Sequence, residues 1–167
     1  MSPAMIRTPL REYRTWTVDS RRLAPYRPRA DDIWISTYPK CGTTWVRHIV
    51  SMLVFGSAEP RSIHDTSLWP DTPTRGPVSE IFAKMEEQAH RRIIKAHLPL
   101  DGLPFYEDVK YVHVARDGRD ACMSWHNHQL AYTAYAIAQL DEIGKNDEML
   151  ARPFPRVSPD PRVFFRQ

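Results

Sequence analysis

Three short stretches of this chain carry residue types suited to work on an anion. The first is "ISTYPKCGTTW", residues 35 to 45, where an apolar run leads into a lysine, a glycine and two threonines before a helical pattern starts. A strand-to-helix loop of this kind turns backbone N–H groups outward, and the helix dipole adds positive potential. Gly42 lets the backbone approach an anion with no Cβ in the way, Thr43 and Thr44 add hydroxyl donors, and Lys40 adds a full charge. The order differs from the nucleotide loop of ATPases, which runs from a glycine through four residues to Gly-Lys-Ser/Thr. Here the lysine comes two residues before the glycine, and the first glycine is missing. A plain strand-to-helix turn with threonine caps is the simpler reading of the same residues.

The second stretch is "KAHLP", Lys95 to Pro99. Lys95 and His97 stand two apart, so on an extended chain they project to the same side. A lysine to offset negative charge and a histidine to take a proton make a workable pair for moving a charged group onto a hydroxyl. The third is "VARDGRDACMSW", Val114 to Trp125, which again follows an apolar run and opens a helix. Arg116 and Arg119 suit a phosphate, because a planar guanidinium offers a fork of donors. Asp120 and Ser124 are four apart and share a helical face. Asp117 and Asp120 are equally suited to holding these arginines in ion pairs.

The elements that must position these residues are legible from hydrophobic periodicity. "IWIST", Ile33 to Thr37, is short, β-branched and apolar on both faces, as a buried parallel strand should be. From Thr43 the period changes, Val46, Ile49, Val50 and Leu53 fall on one helical face, and Gly56 marks the stop. Residues 57 to 78 hold four prolines and read as a long loop. A second helix is expected from a cap at Ser79 to about His90, with Ile81, Phe82, Met85 and Ala89 inward. "RIIKA" (92 to 96) and "KYVHVA" (110 to 115) read as strands. A long helix, roughly 118 to 143, is expected to turn Leu130, Ala134, Ile137 and Ala138 to the core. This alternation fits an α/β sheet of mostly parallel order, in which ligands sit at the carboxyl ends of strands.

Composition bounds the rest. With 167 residues, 42% of them apolar and 26% charged, the chain is the size of one ordinary globular domain. No run approaches the ~20 apolar residues needed to span a bilayer, and the first residues lack the apolar core of a secretion signal. A cytoplasmic location is the expectation. Cys41 and Cys122 make neither a disulfide framework nor a metal cluster. His126 and His128 lie about 200° apart on a helix and cannot share an ion with each other. Residues 1–30 carry seven arginines against Glu12 and Asp19, and read as an irregular basic arm, solvated rather than nucleic-acid-binding.

"TYPKCGTTW", "KAHLP" and "RDGRDACMSW", in this order and spacing, resemble the nucleotide-binding and catalytic segments of the sulfotransferases that use 3′-phosphoadenosine 5′-phosphosulfate. The match runs from about Asp32 to Ser124 and weakens toward Phe165. The resemblance implies a P-loop-type α/β domain, a parallel sheet with flanking helices, with residues 31–167 as its N-terminal part. It implies that Lys40, Gly42, Thr43 and Thr44, with the Cys41 amide, cradle the 5′-phosphosulfate without a metal, and that Trp45 lies against the adenine. Arg116 and Ser124 would hold the 3′-phosphate, His97 would take the acceptor's proton, and Lys95 with Lys40 would stabilise charge on the transferring group. The acceptor would be a small molecule bearing a hydroxyl or an amine. Trp69, Phe82, Phe105 and Trp125 are the aromatics that could line an apolar pocket, with ordinary core or loop packing the simpler reading of each. Cys41 stands where the family often has serine. The family is longer than this chain, so a catalytically silent, binding-only fragment is the alternative, and a kinase-like ATP site a more distant one. Loss of later strands would leave one edge of the loop-bearing strand unpaired and prone to self-association.

Overall fold

In the computed structural model, residues 2–146 and 151–166 are described. In chain order the elements are β1 (Met5–Arg7), β2 (Ile33–Thr37), α1 (Thr43–Phe55), α2 (Ile63–Thr66), β3 (Ser67–Leu68) and α3 (Val78–Glu87). They continue with β4 (Ile93–Ala96), β5 (Phe105–Tyr106), β6 (Lys110–Val114), α4 (Gly118–Leu130), α5 (Ala134–Asn146) and α6 (Pro161–Phe164).

Every residue of β2 is buried, and the strand sits inside a four-stranded parallel sheet of order β3-β4-β2-β6. Ile33 is opposite Ile93 on one side and Lys110 on the other. Side chains alternate between the faces, as a pleated strand requires. Trp34 meets Ile94, Ile81, Phe82 and Met85 on one face, so α3 covers that side. Ile33, Ile35 and Ile93 meet Val50 of α1 on the other, with Val46 and Val54 beside it. A sheet buried on both faces is the α/β arrangement expected. β1 and β5 form a separate antiparallel pair.

The base of the sheet is closed by charge. Asp32, just before β2, accepts from Arg92, just before β4, through Nε (2.8 Å) and Nη2 (2.5 Å), and both side chains are buried. Tyr26 donates its hydroxyl to the same carboxylate at 2.7 Å, Arg29 adds its backbone N–H at 2.9 Å, and Trp34 donates to the Tyr26 oxygen at 3.0 Å. Arg92 also reaches Glu86 of α3 at 2.6 Å. Each polar group in this dry layer has a partner, which is the condition for tolerating a buried charge.

Several expectations are corrected. The first thirty residues are a solvated arm only over residues 2–12, which are almost all exposed: Trp16, Val18, Leu23 and Tyr26 are buried, and Tyr26 belongs to the main core. A Cβ at Gly144 would collide with the Trp16 ring and the Arg152 carbonyl, so α5 and the N-terminal segment meet where only glycine fits. The 57–78 loop contributes the edge strand β3. On α1 the inward face is Thr43, Arg47, Val50 and Ser51, while Ile49 and Leu53 are exposed. α3 starts at Val78 rather than after a Ser79 cap, and it ends before Ala89, which is exposed.

The expected long helix is two. Thr133 restarts it, accepting the Ala136 N–H on Oγ1 (3.1 Å) and the Ile137 N–H on its carbonyl (3.0 Å), so its threonine acts as a cap. Leu130, Ala134 and Ala138 then point outward, and of the expected stripe only Ile137 is half-buried. The loop-bearing strand keeps both neighbours. Among the described residues the strands at the edges of this sheet are β3 and β6.

Because Asp32 serves three donors at once, Asp32→Ala should cost about 3–5 kcal/mol of stability by urea unfolding. A loss under about 1 kcal/mol would show that the sheet's base does not depend on this pair.

Candidate functional site

The parallel sheet sends the C-terminal ends of β2, β4 and β6 in one direction, and each delivers one of the three stretches. After β2 the chain turns through Tyr38 to Gly42. Lys40 has φ +68° and Gly42 has φ +96°, two left-handed residues with one between them. The lysine conformation is uncommon for a residue with a Cβ and is held here by the turn around it. Gly42 caps α1 without a side-chain hydrogen bond, so the first amides of that helix carry no cap. Thr43 is buried, and its hydroxyl bonds the hydroxyl of Thr37.

After β4, the His97 ring is fixed through Nδ1, 2.7 Å from the Thr37 carbonyl oxygen. A carbonyl can only accept, so Nδ1 carries the hydrogen and Nε2 keeps its lone pair. Thr37 thus ties the start of α1 by its side chain and the histidine by its backbone. The backbone N–H groups of His97 and Leu98 both donate to Asp71 Oδ2, at 2.9 and 3.1 Å. Asp71 is fully buried, and its Oδ1 has no hydrogen-bond partner. Lys95 places its ammonium 3.2 Å from the centroid of the Trp69 ring, and that ring meets the His97 imidazole edge-on at 5.0 Å.

After β6, Arg116 reaches back to the Lys40 carbonyl at 3.4 Å and lies 3.6 Å from Asp120. Asp117 caps α4, accepting from the N–H groups of Arg119 and Asp120. Arg119 pairs with Asp117 at 3.4 Å and stays exposed.

One open cleft of about 1340 Å³ joins these ends, and Lys40 to Trp45, Lys95, His97 and Arg116 all stand on its walls. Trp69, Trp125 and His128 line it as well. Trp45 remains 79% exposed. Ser124 is half-buried and is not among the lining residues, so its role rests on the resemblance alone. Phe82 is a core residue and Phe105 stacks on Tyr111, both away from the cleft. His126 is buried with Nε2 2.8 Å from the Ser158 carbonyl, and no cluster among the described residues could hold a metal ion.

The electrostatics follow from crowding cations in a half-dry space. Burial, then Lys95 and Arg47, push His97 down to about 3, so its imidazole is neutral. Burial and the push of Arg47 lower Lys95 to about 7. Burial lifts Asp71 to about 7 against the pull of its two amide donors and Lys95. Of the site's cations, Lys40 and Lys95 have no ion-pair partner among the described residues, whereas Arg116 has Asp120.

The sulfotransferase domain model matches residues 30–153. This chain is a member of the sulfotransferase-domain family. Over 113 residues it is 42% identical to a glycolipid sulfotransferase of Mycobacterium tuberculosis, covering 67% of this chain and 34% of that one. Cytosolic sulfotransferase 1 of Danio rerio is 33% identical over 118 residues, covering 66% of this chain and 40% of its own. The member described here therefore spans roughly a third to two fifths of these relatives' length. Among solved structures, retinol dehydratase in complex with retinol and PAP shares the fold, with a TM-score of 0.50 at 22% identity over 66% of this chain and 43% of that chain.

Sequence reasoning missed Thr37, Asp71 and Arg47. Thr37 stands at the end of an obvious strand, where a polar residue in an apolar run was the available signal. Asp71 lies in a proline-rich loop, and nothing local marks it as the clamp on His97.

The His97 ring should stay neutral to well below pH 5, with an NMR midpoint near 3 instead of the usual ~6.5. Its folded value is depressed, so its contribution to stability is present above pH ~6.5 and lost as pH falls toward 3. His97→Gln should flatten that part of the stability curve. A midpoint near 6.5 would contradict the buried, cation-facing environment.

Proposed function

We propose that this chain binds 3′-phosphoadenosine 5′-phosphosulfate and that its cleft serves transfer of the sulfuryl group to a hydroxyl, or an amine, of a small-molecule acceptor. The observation that carries this reading is the meeting of the Lys40 loop, Lys95, His97 and Arg116 on one cleft at the carboxyl ends of parallel strands. Membership of the sulfotransferase family supports it, as does PAP in the related retinol dehydratase structure.

The residues fit such a donor. Uncapped amides at the start of α1, the Lys40 charge and the Thr43–Thr44 pair suit the 5′-phosphosulfate as a phosphate loop does, with Cys41 contributing its amide. Arg116, with Ser124 one turn beyond Asp120 on α4, is assigned to the 3′-phosphate, and the exposed Trp45 ring to the adenine. In the transfer, His97 Nε2 takes the proton of the acceptor hydroxyl while the acceptor oxygen bonds to sulfur. The bond from sulfur to the bridging phosphate oxygen breaks, and its electron pair leaves on the 5′-phosphate. Lys40 and Lys95 would offset the negative charge that builds on the transferring group and the leaving phosphate. The low basicity of His97 belongs to the unliganded, cation-rich cleft; a bound polyanion supplies the opposite charge that raises it.

Two measurements test this reading. By calorimetry, 3′-phosphoadenosine 5′-phosphate should bind more tightly than AMP, and Arg116→Ala should erase the difference. Equal affinities for the two in the unaltered chain would remove donor recognition. With radiolabelled donor and a panel of alcohols and phenols, His97→Ala should lower the transfer rate by about 10²–10⁴. Tight nucleotide binding with no transfer to any acceptor would favour the binding-only alternative.

A further inference from the structure

Behind Lys95 and Trp69 lies a second, smaller hollow of about 170 Å³, whose walls include Arg47, His64, Arg75 and Lys84 as well as those two side chains. No aspartate or glutamate lines it. None of Arg47, Arg75, Lys84 and Lys95 is in an ion pair among the described residues, whereas seven other arginines are. Arg47 is 5% exposed and is held only by uncharged groups: the Ser67 hydroxyl at 3.0 Å, the Ser67 carbonyl at 2.5 Å and the Ile63 carbonyl. A buried guanidinium without a counter-charge is costly, and burial with the nearby Arg75 lowers it to about 10. The carboxyl acting on Lys95 is Asp71, and burial pushes it toward its neutral form.

We propose that this hollow is a second anion site, separate from the phosphate loop, that takes a single phosphate, sulfate or carboxylate group between Arg47, Arg75 and Lys95. Its volume equals the share of about five or six waters, enough for one such group and below the ~300 Å³ at which pockets for whole ligands begin. Arg75 and Lys95 also line the main cleft, so an occupant bonded to them lies beside His97. The group then arrives either as a free ion or as the charged end of an acceptor whose hydroxyl faces His97. The second route rests on the sulfuryl-transfer reading; the anion site itself does not.

Arg75 is exposed and makes no side-chain hydrogen bond among the described residues, so Arg75→Ala should fold normally. The probe is inorganic phosphate, followed on the Trp69 indole N–H resonance, in a Lys40→Ala chain whose phosphate loop is weakened. Saturable, salt-sensitive binding is expected, and adding Arg75→Ala should weaken it about tenfold or more. The absence of saturable binding, or an unchanged affinity without Arg75, would overturn the proposal. If 3′-phosphoadenosine 5′-phosphate fails to bind the unaltered chain, the donor reading falls while this arm still reads the second site. The source is settled by transfer to paired phenols with and without a carboxylate tail. A preference for the charged phenol that Arg75→Ala removes supports delivery on the acceptor; equal rates alongside phosphate binding support a free ion in the same site.

Discussion

Parallel pairing of β2 with β4 on one side and β6 on the other is the constraint from which the rest follows. Strands that run the same way release their chains at the same end. A lysine loop, a lysine–histidine pair and an arginine, scattered over about eighty residues, are thereby brought to one cleft. The opposite end is closed by the buried Asp32–Arg92 pair, which joins the starts of the two inner strands. Charge at the base is matched and dry. At the tip, Lys40 and Lys95 lack an ion-pair partner among the described residues and stand on an open cleft.

That contrast gives the tip its chemistry. Lys95 rests on the Trp69 ring, His97 is held neutral with its free nitrogen defined by the Thr37 carbonyl, and Asp71 accepts from the backbone N–H groups of His97 and Leu98. Depressed basicity at Lys95 and His97 has the same physical origin, burial beside other cations. An anion relieves both at once, so occupancy and proton affinity in this cleft are coupled. The Thr37–Thr43 hydroxyl contact adds a mechanical link, since the helix that would receive the anion and the ring that would take the proton hang on one residue.

Local signals reveal local things. β2, β4 and β6 were legible because short β-branched runs bounded by turn residues have few other uses, and α3 because Ile81, Phe82 and Met85 keep a helical period. The loop, the lysine–histidine pair and Arg116 were legible because their residue types sit directly after those strands. What stayed hidden depends on partners far along the chain. β3 is two residues long and exists by pairing with β4. Trp16 and Tyr26 are buried by segments more than fifty residues away, so arginine-rich neighbours gave a false impression of a free arm. The outward turn of Leu53 and Leu130 reflects faces that composition alone would have put inside. Asp71 and Arg47 acquire meaning only from what the fold sets against them.

The account stands on the cleft holding an adenosine that carries phosphate at both the 3′ and 5′ positions. A crystal structure of the chain with 3′-phosphoadenosine 5′-phosphate tests this most directly. The account expects the 5′-phosphate against the backbone amides from Lys40 to Thr44 and the 3′-phosphate beside Arg116. A nucleotide seated elsewhere, or one whose phosphates point to solvent while those groups remain free, would contradict it.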